Sequence, residues 1–111
     1  MLTVQLLSAA LTLFFGVAAV CAPLKILSLT GLRAETGRGT TEARVALGAI
    51  YLGAGGACLW LQQPAAFATL GFAYCVMAVV RAVSMLIDRS ADGSNWVSLA
   101  LEIGLGLVLV F

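Results

Sequence analysis

No residue charged at neutral pH occurs between Met1 and Leu24 or between Val45 and Val80, and these two stretches make up more than half of the chain. A helix needs about 20 apolar residues to cross the hydrocarbon core of a bilayer. The first stretch is one span long. The second is too long for one span, and its one strongly polar cluster, Gln62-Gln63-Pro64, lies near its middle, so it reads as two helices joined by a turn. Histidine is absent altogether, which removes the usual haem, chlorophyll and zinc ligand and excludes a cofactor held by an axial imidazole. The hydrolase nucleophile elbow, the dinucleotide fingerprint and the phosphate loop are missing too. The run Gly53-Ala54-Gly55-Gly56 sits mid-span with no lysine after it, and reads as a surface for close helix packing. Cys21, Cys58 and Cys75 are odd in number, lack paired spacing and fall within spans, so they read as small hydrophobes rather than as a disulfide or metal set.

What remains is apolar. The chain is 62% hydrophobic and 10% charged, against about 25% charged in soluble domains. A last apolar stretch runs from Ser94 to Phe111. The sequence therefore predicts an all-α membrane protein, one domain over residues 1–111, with four transmembrane helices in an up-down bundle at about 2–22, 43–61, 65–87 and 94–111. A cleaved signal peptide is the rival reading of the first stretch, but Met1-Leu2-Thr3-Val4-Gln5 lacks a basic start and Pro23 directly follows Val20-Cys21-Ala22. Val20 also precedes Cys21 where a lipoprotein cysteine takes a small residue. The first helix is expected to stay, with Gln5, Ser8, Thr12, Gly16 and Ala19 as a small and polar stripe for close helix contact.

The few charges are unevenly placed. Lys25, Arg33, Arg38 and Arg44 lie in or beside the first connection and Arg89 in the third, while the second connection and both ends carry no basic side chain. The positive-inside rule then predicts a multi-pass membrane protein with the basic connections cytoplasmic and both termini extracytoplasmic, and Trp60 and Trp96 suit the interfacial aromatic belt. A net charge of +1 offers nothing for nucleic acid.

Charged residues inside the spans carry the chemistry. Arg81 precedes Asp88 by seven residues, about 10 Å along a helix, and Glu102 follows Ser94 by eight, about 12 Å. Tyr51, seven residues beyond Arg44, reaches a similar depth. Each charge alone is costly in hydrocarbon, so Arg81 and Glu102 are expected to pair. On helical faces, Tyr74, Met77, Arg81, Ser84 and Asp88 align on the third span, Ser98, Glu102 and Gly106 on the fourth, and Arg44, Gly48, Tyr51, Gly55 and Cys58 on the second. The candidate intramembrane polar cluster is thus Arg44, Tyr51, Arg81, Ser84, Asp88 and Glu102, with Arg44 and Asp88 at its rim and Arg81 and Glu102 at its floor. Two readings stand side by side: a structural ion pair that fixes helix register, or a site for a lipid headgroup, a quinone-like ring or a proton.

The order Glu42-Ala43-Arg44 opening a glycine-rich span, Arg81 with Ser84 and Asp88 closing the next, Gly93 in the turn and Glu102 in the last span resembles a family of small bacterial four-helix integral membrane proteins of unknown function, related to the DoxX-like group. Two positions differ from that pattern: Leu47-Gly48-Ala49 stands where members tend to have Tyr-Gly-Gly, and Arg89 rather than glycine follows Asp88. The resemblance implies a fold and a membrane address, and no substrate. The length is also similar to that of small multidrug-resistance transporters, whose exchange centres on a glutamate in the first span. Here the first span has no acid. With no nucleophile and base pair evident, no enzyme, cofactor or metal site is expected. The expected role is a non-catalytic accessory or stabilising subunit of a larger membrane complex, such as one of electron-transport or photosynthetic type, with lipids and other integral membrane subunits as partners. The alternatives are a small proton-coupled transporter or a lipid- or quinone-binding protein.

Overall fold

A computed structural model describes residues 2–111, and among them the regular structure is entirely helical. Helix α1, Leu2–Cys21, stops because Pro23 has no N–H with which to continue the ladder. The backbone swings out at Ala22, and Pro23 opens a short helix α2, Pro23–Thr30, which ends on Gly31 at φ +81°, a left-handed conformation that suits glycine. Thr36 caps the next helix, its Oγ1 accepting the Gly39 N–H at 3.1 Å. Helix α3, Gly37–Ala43, then runs through a π-helical turn, Arg44–Ala49, into α4, Ile50–Leu61.

Gln62, at φ +48°, and extended Gln63 end that helix, and Pro64 sits in the first turn of α5, Pro64–Ile87, where its missing N–H costs nothing. Arg89, at φ +53°, closes α5. Asp92 then caps α6, Gly93–Val110, by accepting the Asn95 N–H at 2.9 Å. Among the described residues four helices are long and apolar enough to cross a membrane: Leu2–Cys21, Gly37–Leu61, Pro64–Ile87 and Gly93–Val110. Large apolar side chains such as Phe14, Phe72, Val79 and Leu107 are exposed on them, as expected of surfaces solvated by lipid.

The chain divides into two compact units. In the unit of Ala9–Leu61, α1 and α4 run antiparallel at close range. Gly55 lies on Leu13 and Ala9, and Gly48 lies on Val20 and Ala19; a Cβ on Gly55 would stand 2.6 Å from the Leu13 nitrogen. Backbones this close need glycine, and dispersion between them replaces the hydrophobic drive that lipid removes. Phe15 meets Tyr51 edge to face, with ring centroids 5.1 Å apart.

The other unit joins the stretch ending at Ser8 to Gln62–Phe111. Here α5 and α6 run antiparallel, with Gly71 against Leu109 and Val110, and Gly106 against Cys75. Phe67, Leu70, Tyr74, Ala78 and Met85 on α5 are buried, as is Leu109 on α6. Gln5 ties the first turns of α1 to this hairpin through Nε2, which donates to the Leu109 carbonyl at 3.4 Å.

Candidate functional site

The hairpin of α5 and α6 carries the one salt bridge found among the described residues. Arg81 reaches from α5 to Glu102 on α6 with both edges of the guanidinium. Nε donates to Oε1 at 2.7 Å and Nη2 to Oε2 at 3.0 Å. This bidentate fork is the strong form of an arginine–carboxylate contact. Glu102 is buried, its side chain 7% exposed, while the Arg81 side chain remains 33% exposed. The pairing offsets the cost of burying the carboxylate, which loss of Arg81 would leave uncompensated.

Asn95 extends the network. Its Oδ1 accepts from Arg81 Nη1 at 2.9 Å, and its Nδ2 donates to the Ser90 carbonyl at 2.7 Å. Its own N–H is held by the Asp92 cap. The start of α6 and the turn before it therefore fix the plane of the guanidinium. Among the described residues no buried side-chain nitrogen or oxygen lacks a hydrogen-bond partner.

Beside this network lies a cavity of about 480 Å³. Ser84 and Asp88 line it one helical turn apart on α5, and Arg81 and Glu102 line it as well. Four of the six residues expected to cluster thus come together within one unit. Arg44 and Tyr51 belong to the unit of Ala9–Leu61. There Arg44 Nε donates to the Val20 carbonyl at 3.3 Å, satisfying a carbonyl at the end of α1, and Tyr51 packs on Phe15.

Asn95 and Ser90 did not stand out in the sequence, although one signal was available. Asn95 precedes Glu102 by seven residues, two turns of the same helix, so it faces the same way as the acid. Chemically, the arrangement holds charge in place. Both Glu102 oxygens accept from one guanidinium, so one side chain of α5 engages both acceptor atoms of the acid on α6.

The family model described as a domain of unknown function, DUF4345, matches residues 2–111. The chain belongs to the DUF4345 family. The match runs through all four long helices of this DUF4345 protein, so both the glycine contacts and the ion pair lie inside the family domain. No curated protein and no solved structure matches it. It has the make-up of a multi-pass integral membrane protein.

Proposed function

We propose that this DUF4345 protein is a non-catalytic subunit that packs against other integral membrane proteins and stabilises their assembly. The observation that carries this reading is a pair of glycines in the interior of the spans with no described atom beside them. Gly53 on α4 and Gly104 on α6 are exposed within the spans, and a Cβ on either would meet no atom within 4 Å. Glycine inside a helix costs about 1 kcal/mol relative to alanine. Gly55 and Gly106 offset that cost by close contacts inside the chain. At Gly53 and Gly104 a helix of another protein supplies the compensating contact.

The proposal includes the membrane address. The basic connection carrying Lys25, Arg33 and Arg38 faces the cytoplasm of a bacterium, and both termini lie outside. The wider relation to the DoxX-like group belongs to the same proposal. Proton-coupled transport fits less well, because Glu102 is held bidentate by Arg81.

Purification of the native protein in mild detergent tests the reading. It is expected to bring down defined membrane partners at fixed stoichiometry, and Gly53→Leu or Gly104→Leu is expected to release them while the chain stays folded. Substrate-driven proton flux by the isolated protein in liposomes, abolished by Glu102→Gln, would overturn it.

A further inference from the structure

The cavity beside α5 and α6 is graded in polarity along the helix axis. At its deep end it is walled by Val76 and Val80, at its outer end by Ser84 and Asp88, and the Arg81–Glu102 pair lies between. Val76 and Val80 are themselves 47% and 58% exposed. The apolar wall therefore opens sideways at a depth where a membrane protein meets acyl chains. From Val76 to Asp88 is twelve residues, about 18 Å of helix, so one molecule lying along the cavity spans from hydrocarbon to interface.

Charge selects the head of that molecule. Arg81 is the one cation lining the cavity, and Glu102 neutralises it through both oxygens. The Asp88 carboxylate makes no hydrogen bond or ion pair with any described residue, and it is exposed at the outer end. The cavity thus carries one uncompensated negative charge. An anionic head would be repelled by Asp88. A primary ammonium satisfies it, with Ser84 one turn below as a further acceptor.

We propose that this cavity holds an ammonium-bearing amphiphile, its tail against Val76 and Val80 and its ammonium on Asp88. The source is an aminophospholipid of the surrounding bilayer; the shared chemistry, a primary ammonium on an apolar chain, also describes a soluble long-chain amine. The inference is independent of the subunit reading, since lipid retention and partner retention are read separately.

Native mass spectrometry of the purified, delipidated full-length protein tests it, with phosphatidylethanolamine, phosphatidylcholine, phosphatidylglycerol and dodecylammonium as probes. Phosphatidylethanolamine is expected to be retained above the other two lipids. Asp88→Asn is expected to lower that retention about fivefold, the loss of one partly solvated ion pair, while Asp88→Glu keeps it. Val80→Trp fills the deep end without changing charge and is expected to lower retention as well. Glu35→Gln, an exposed acid in the other unit, serves as the control and leaves retention unchanged. Dodecylammonium bound more weakly than phosphatidylethanolamine, and through Asp88, supports the bilayer lipid as source; equal or tighter binding through Asp88 supports a soluble amine. Retention of phosphatidylglycerol equal to that of phosphatidylethanolamine, or retention unchanged in both the Asp88→Asn and Val80→Trp proteins, would overturn the proposal.

Discussion

At the scale of single residues, the decisive interaction is between Arg81 and Glu102. Their bidentate contact at 2.7 and 3.0 Å shares one buried carboxylate between two helices. Replacing either partner with leucine strands the other charge, at a cost of about 3–5 kcal/mol. Replacing both removes the stranded charge, and the double variant is expected to be more stable than either single one. Thermal unfolding in detergent of the two single variants and the double variant measures the coupling; strictly additive losses would show that the pair is not coupled. Asn95→Ala removes one charge-assisted hydrogen bond from the guanidinium and is expected to cost about 1.5–3 kcal/mol in the same assay. The pair was legible in the sequence because a lone charge in hydrocarbon has so few remedies that depth alone nearly names its partner. Asn95 was not, since an asparagine in the first turn of a helix is commonplace and only the folded turn at Ser90 and Asp92 shows what orients it.

At the scale of elements, glycine sorts the helix surfaces into two kinds. Gly16, Gly48, Gly55, Gly71 and Gly106 lie against the backbone or side chains of a neighbouring helix, so valine there forces helices apart. Gly55→Val and Gly71→Val are each expected to destabilise the chain by about 1–3 kcal/mol or more, as in other overpacked cores. Gly53→Ala and Gly104→Ala meet nothing and are expected to stabilise the isolated chain by up to about 1 kcal/mol. Denaturation of the four variants in detergent separates the two kinds, and equal losses at all four positions would contradict the sorting. The helices themselves were readable because hydrocarbon permits few other backbones, and the break at Gln62-Gln63-Pro64 divides the long apolar stretch where α5 begins. The small and polar stripe on α1 was readable as well: Ser8, Thr12, Gly16 and Ala19 are buried, and Gln5 is half-buried. The π turn at Arg44–Ala49 was not. A single wide turn adds one residue to a helix without changing its composition, so it leaves no mark on hydropathy. Helix α2 was hidden for a related reason: eight residues are too few to show a clear period.

At the scale of the whole molecule, the proposed orientation rests on charge asymmetry and the proposed neighbour on bare glycines. Cysteine introduced at Gly37 in a cysteine-free background is expected to be shielded from an impermeant reagent added outside the cell, and cysteine at Gln63 to react. The opposite pattern would invert the topology. The subunit reading places a helix of another protein against Gly53, where no atom of the described residues lies within 4 Å of the missing side chain. Gly55, two residues away, is closed by Leu13 and Ala9. The most direct measurement is crosslinking in native membranes from a photoreactive residue at position 53, with one at position 104 as the second probe. The account predicts a single discrete adduct to another membrane protein from each site, lost when the same residues carry no photoreactive group. Adducts to lipid alone from both sites would contradict it.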